Sequence, residues 1–311
     1  MATKETELEI YQEEATVGIK RKKGKMKITF TYIFVLVLLL ASSCNENMEG
    51  DNARLNDIGV IHARLKDFEF DQGKFSRTVI SIGNDGPHYA WAKTDTIGIF
   101  PSKGRQVEFS MASGAGSTSA TFTGGGWGLK KSSTYAAYCP LIGQYYLDKT
   151  QIPVNYSGQV QEGNNSSAHL GAYDYLAAPA SQVKDGVVSF DFEHLGCLVQ
   201  IKLTITEPTT IHSITLKTGT NAFATKGIID LTVPAPQITS DSPVSDITLS
   251  TNHLSTTHAS QTITLYLMLP PADLSGKIVK VVVDSDSGCK ETTLASKNFQ
   301  AGKAYALSGM L

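Results

Sequence analysis

Few residues in this chain are spaced to do metal or covalent chemistry. Glu193, His194 and Cys197 bring three metal-ligating side-chain types into five positions. The spacing works against them. Alternate residues of a strand face opposite sides, so His194 and Cys197, three apart, diverge unless the backbone bulges between them. Ser113-Gly114-Ala115-Gly116-Ser117 has the small residues of a phosphate-cradling loop, but no Walker lysine and no helix pattern follow it. No G-x-S-x-G elbow occurs. Paired carboxylates for glycoside hydrolysis depend on the fold, and nothing in the sequence recommends a pair. The expectation is therefore no catalytic residue, no metal, no cofactor and no enzyme. Trp91, Trp127, Tyr145 and Tyr146 could form an aromatic sugar platform, although large aromatics serve more often as core.

The clearest chemistry is lipidation. Lys20, Arg21, Lys22, Lys23, Lys25 and Lys27 form a basic block, followed by the charge-free apolar run Ile28 to Leu40 and then Ala41-Ser42-Ser43-Cys44. A basic segment, about 7–15 apolar residues and small residues at the cut describe a secretory signal peptide. The apolar run is shorter than the roughly 20 residues of a spanning helix. The small-small-Cys ending resembles a bacterial lipobox, although Ala41 stands where leucine is usual. Cys44 is thus expected to be acylated and to begin the mature chain, since two acyl chains anchor stably where one is marginal. Met26 is the expected true start, because Glu5, Glu7, Glu9, Glu13 and Glu14 suit no signal peptide.

Removing residues 1–43 takes away seven Lys/Arg and five Glu, moving the net charge from −2 to −4. That balance offers nothing to nucleic acid. Cys139, Cys197 and Cys289 remain, an odd number without C-x-x-C spacing, and sequence leaves their pairing open.

The elements that would position any site are strands. Residues 44–56 lack apolar periodicity and read as a flexible lipid tether. Beyond them the apolar period is two, with turn clusters such as Gly83-Asn84-Asp85-Gly86-Pro87 and Pro270-Pro271 at short intervals. Residues 151–170 are polar and are expected to form an exposed loop. Val188, Phe190 and Phe192 alternate with Ser189, Asp191 and Glu193, and after His194 the parity reverses to Leu195, Cys197, Val199 and Ile201. A one-residue slip turns every side chain over, so the chain must bulge or change sheets at His194-Leu195-Gly196. Many short strands without a long helix pattern indicate β-sandwiches. The expected division is a signal peptide at 1–43, the tether, and sandwiches at 57–185 and 186–311.

Several segments then resemble one family. Trp91 with Asp95-Thr96-Ile97-Gly98-Ile99-Phe100, Tyr135 to Pro140, Tyr173 to Ala178, Phe190 to Leu195 and Phe299 to Tyr305 look, in order, like the motifs of fimbrillin-type lipoproteins of Bacteroides-like bacteria. The resemblance implies an all-β chain of two tandem transthyretin-like sandwiches, lipid-anchored at the outer membrane and cell surface, acting in adhesion as a pilus subunit. Its partners would be other subunits, joined by β-strand donation, and a host or bacterial surface ligand. Strand exchange implies proteolytic processing, for which Arg54 and Arg64 are candidates, freeing the strand around Ile58 to Ile61. Ala304 to Leu311 reads as a strand used at home, which implies a terminal or tip subunit. The alternative is a surface glycan-binding lipoprotein of a nutrient-uptake system.

Cys44→Ala is expected to abolish labelling with a fatty-acid analogue and to release the protein from the membrane fraction. Unchanged labelling would disprove acylation at Cys44.

Overall fold

The computed structural model describes residues 58–70, 81–83, 86–124, 129, 132–143, 147–184 and 187–311. Cys44, Arg54, Trp127, Tyr145 and Tyr146 lie outside them. The fold is all-β, as the period-two pattern requires; the one helical element among the described residues is a 3-10 turn at Leu170–Tyr173.

The first sheet contains β1 (Val60–Leu65), β2 (Thr96–Pro101), β3 (Val107–Ser113), β4 (Ser119–Gly124), β5 (Tyr135–Cys139), β6 (Leu176–Ser181) and β7 (Val187–His194). Their order is β1-β4-β3-β2-β5-β6-β7, and β7 pairs back onto β1, so the sheet closes on itself. Closure removes the open edges. All its pairings are antiparallel except β1 with β7. Ile61, Ile97, Phe109, Phe122, Val188 and Phe192 are among the side chains buried here. Trp91 packs edge-on against Phe122 at 5.0 Å and Phe192 at 5.4 Å between ring centroids. On β2 a Cβ at Gly98 would run into the Tyr138 ring, so the crowded wall needs glycine there.

The chain leaves this sheet where the parity reverses. Leu195 and Gly196 link β7 to β8 (Cys197–Ile205), which belongs to a different sheet. A Cβ at Gly196 would lie 2.6 Å from Tyr156 Oη and 3.0 Å from the Leu269 carbonyl, so the crossing passes too close for any side chain.

The second body comprises β8, β9 (Ile211–Thr218), β10 (Asp246–Asn252), β11 (Gln261–Leu269), β12 (Val279–Ser285), β13 (Gly288–Leu294) and β14 (Lys303–Met310). One sheet runs β10-β9-β12-β13 and the other β11-β8-β14. Val199, Ile201, Leu203, Ile214, Leu265 and Val281 are fully buried among them. Strand pairing also crosses residue 186. Glu69–Phe70 pairs with β14, Gln159–Glu162 with β10, and Ile152–Asn155 with Lys226–Ile229.

The segment 151–170 is not the exposed loop its polarity suggests. Ile152, Val154 and Tyr156 are buried, and so are Gln159 and Gln161. Each glutamine amide pairs with the backbone of β11. Gln159 donates to the Met268 carbonyl at 2.7 Å and accepts from Met268 N–H at 2.9 Å; Gln161 does the same with the Thr264 carbonyl and Tyr266 N–H. Side chains here replace a neighbouring strand, which explains why the buried face looks polar in sequence.

Burial raises the pKa of several phenols, Tyr138 to about 12, with Tyr89, Tyr156, Tyr175 and Tyr266 moved in the same direction. An acid whose folded pKa is raised stabilises the fold fully below its unfolded pKa and loses that contribution as pH rises through the folded value. Stability is therefore expected to fall steeply as pH rises from about 10 towards 12. Circular dichroism and phenolate absorbance should change together, whereas independent titration of the phenols in an intact fold would contradict this.

Candidate functional site: the β1 seam

β1 is the strand that closes the first sheet. It runs antiparallel to β4, with Val60 opposite Thr123 and Arg64 opposite Ser119, and parallel to β7, with Ile61 opposite Val188 and Leu65 opposite Phe192. Its sequence, VIHARL, alternates strictly between exposed and buried. Ile61, Ala63 and Leu65 point into the core, and full burial of Ile61 and Leu65 contributes about 1.5–3 kcal/mol each.

The outward side of the seam is polar. Arg64 Nε lies 2.8 Å from Asp191 Oδ1, and Lys66 Nζ lies 3.4 Å from Glu193 Oε1. All four side chains are well exposed, so these ion pairs add little stability and their strength falls with salt. His62 Nδ1 sits 3.3 Å from Thr121 Oγ1. The strand is thus held by two backbone ladders and a short inward row of apolar side chains.

Just past β1 the chain is pinned. The Phe68 ring lies 3.8 Å from the His194 ring and 4.5 Å from that of Tyr89. His194 Nδ1 in turn sits 2.8 Å from Asp174 Oδ1, with both residues buried. The chain then joins the second body, where Glu69 N–H donates to the Gly302 carbonyl at 2.8 Å. Burial, reinforced by the charge on Asp174, holds the pKa of the Tyr89 phenol well above its usual value.

Of the residues singled out in the sequence, Arg64 is on the outer face of β1, while Cys44 and Arg54 lie outside the described residues. His194 and Cys197 make separate contacts: His194 faces Asp174, and the buried Cys197 thiol is 3.6 Å from the Leu269 carbonyl. Glu193 points outward to Lys66. Cys139 is a buried free thiol and Cys289 an exposed one. Among the described residues no group of three or more His, Cys, Asp or Glu is placed to hold a metal. Phe68, Tyr89 and Asp174 escaped the sequence reading. One signal was available: His194 continues the inward parity of Val188, Phe190 and Phe192, and a histidine on a core face needs a partner.

The fimbrillin-like family matches residues 78–308. The chain belongs to that family. Among solved structures, a candidate cell adhesion protein from Bacteroides ovatus shares the fold at a TM-score of 0.55 and 16% identity, covering 81% of this fimbrillin and 91% of that chain. A second candidate cell adhesion protein, from Bacteroides uniformis, aligns at 0.48 and 14% identity over 81% and 92% of the two chains. The tip fimbrial protein Mfa3 from Porphyromonas gingivalis aligns at 0.34 and 14% identity over 76% and 81%. Among curated proteins no sequence matches.

Phe68→Ala is expected to destabilise this fimbrillin by about 3–5 kcal/mol, the cost of emptying a buried aromatic site. Urea unfolding monitored by tryptophan fluorescence measures it. A loss below about 1 kcal/mol would show that the stack does not pin the segment after β1.

Proposed function

We propose that this fimbrillin is a cell-surface pilus subunit or adhesin, anchored at the outer membrane through acylated Cys44. Its role is adhesive and structural rather than enzymatic. It joins other subunits by exchange of the seam strand. The observation that carries this reading is β1 itself: one short strand inserted between β4 and β7, with a regular inward row that an incoming strand of the same parity could replace. The family match and the Bacteroides ovatus neighbour, described as a candidate cell adhesion protein, agree with it.

The two candidate processing sites differ in consequence. A cut after Arg64 separates Val60 to Arg64 from the Phe68 pin and leaves the seam strand held by its ladders and core side chains. A cut after Arg54 leaves β1 joined to its pin. Arg64 is therefore the productive site. Its cleavage needs local peeling, since Leu65 N–H donates to the Thr118 carbonyl at 2.8 Å and the guanidinium is paired with Asp191. β14 pairs with β8 along Leu198 to Thr204, which supports an acceptor that does not donate, and hence a terminal or tip position. The same reading keeps two sandwiches but moves the passage between them from residues 185 and 186 to Leu195 and Gly196, because β7 belongs to the first sheet, with Glu69–Phe70 and Gln159–Glu162 lent to the second.

Limited trypsin treatment tests this proposal. Protein cut at Arg64 should bind a synthetic peptide spanning residues 59–66, should remain monomeric by sedimentation, and should keep its remaining fold by circular dichroism. Protein cut only at Arg54 should not bind the peptide. Peptide binding that is indifferent to the Arg64 cut would refute exchange at β1, and long homopolymers would make β14 a donor strand.

A further inference from the structure

Parity alone does not describe the place that β1 fills. The two ladders set a grid of inward side chains across β4, β1 and β7. Phe122, Ile61 and Val188 form one row, Ala120, Ala63 and Phe190 the next, and Leu65 stands beside Phe192 in a third. The middle row is small at two of its three places, yet every residue in it is buried. Something larger must lie over the two alanines.

Trp91 is that cover. Its indole packs edge-on against Phe122, at one corner of the grid, and against Phe192, at the opposite corner. The diagonal between those corners passes through Ala63. A ring 5.0 Å from one phenyl centroid and 5.4 Å from the other therefore spans the middle row. The indole is held there. Trp91 N–H donates to the Ser117 carbonyl at 2.9 Å, and the Trp91 carbonyl accepts from Gly116 N–H at 2.8 Å, both in the turn that joins β3 to β4. With the side chain buried as well, Trp91 has nowhere to retreat. A core filled to crystal-like density resists added methylenes, which force side chains off their rotamers.

We infer that the seam selects its strand by size, admitting only glycine or alanine at the place of Ala63, with Trp91 setting the limit. This deepens the exchange proposed at β1, on which it rests, by naming the partner's chemistry. The partner is an extended segment lying parallel to β7, with a large apolar side chain at the place of Ile61 and a small one two residues later. A strand with branched side chains at both places is refused although its alternation is right. β12 of this same chain is such a strand, with Val279, Val281 and Val283 all inward. Size thus keeps an abundant kind of wrong partner out of the groove, which a parity rule would admit.

The test titrates protein cut at Arg64 with fluorescein-labelled peptides, read by anisotropy. The peptide of residues 59–66 should bind, and its Ala63→Gly version should bind within about fivefold of it, the backbone cost of glycine. Its Ala63→Leu version and the peptide of residues 278–285 should each bind about tenfold or more weakly, the scale of an overpacked core. Equal binding of the Ala63→Leu peptide would overturn the size limit and leave exchange standing. Failure of the unchanged peptide would refute exchange itself, and the intact chain then decides the limit. There Ala63→Leu should lower the melting temperature by about 3 °C or more. In a Trp91→Leu background the same substitution should lower it by less than half as much. Equal losses in the two backgrounds would show that Trp91 sets no limit at Ala63.

Discussion

The parallel pairing of β1 with β7 sets most of the architecture. Every other pairing in the closed sheet is antiparallel, so this one contact turns an open meander into a ring. Parallel strands run out at the same end. Leu65 and Phe192 are paired, so the chain after β1 and the chain after β7 leave side by side and enter the same second body. One becomes Glu69–Phe70 against β14, and the other becomes β8. Two crossings at one point leave little room. The Phe68, His194 and Tyr89 stack fills that point, and Gly196 passes where even a methyl group would collide.

Edges are handled in three ways. The first sheet abolishes them by closure. β11 has its outer backbone groups met by the amides of Gln159 and Gln161, which give hydrogen bonds without offering a template for another chain. Among the described residues, β14 is covered on that side by Glu69–Phe70 at Lys303 and Ala304. Removal of β1 would create two edges at once, one on β4 and one on β7.

The fold class and the sheet change at His194-Leu195-Gly196 were legible because Val188, Phe190 and Phe192 report their own burial, and a parity reversal has few geometric solutions. Trp91 and the Thr96 to Phe100 run likewise declared a core. The capping glutamines were not legible, since a polar residue buried for its backbone partners looks like a surface residue. The partners of His194 and Arg64 were equally hidden: Asp174 is twenty positions from His194, and Asp191 lies on a strand brought beside Arg64 only by closure.

The register of β1 follows from the pin more than from the outer charges. A slip of one residue would turn Ile61 and Leu65 outward, which the core forbids. A slip of two towards the second body keeps parity, sets Arg64 against Glu193 and costs Lys66 its partner, a loss that exposed ion pairs make small. What resists is Phe68, already stacked on His194 with no space to advance, and Glu69, already bonded to Gly302. Register is therefore imposed from the C-terminal end of the segment, while the groove between β4 and β7 discriminates only alternation and side-chain size. Under the proposed exchange, such a groove would accept many sequences of the right parity, while the pin holds the home strand in one register.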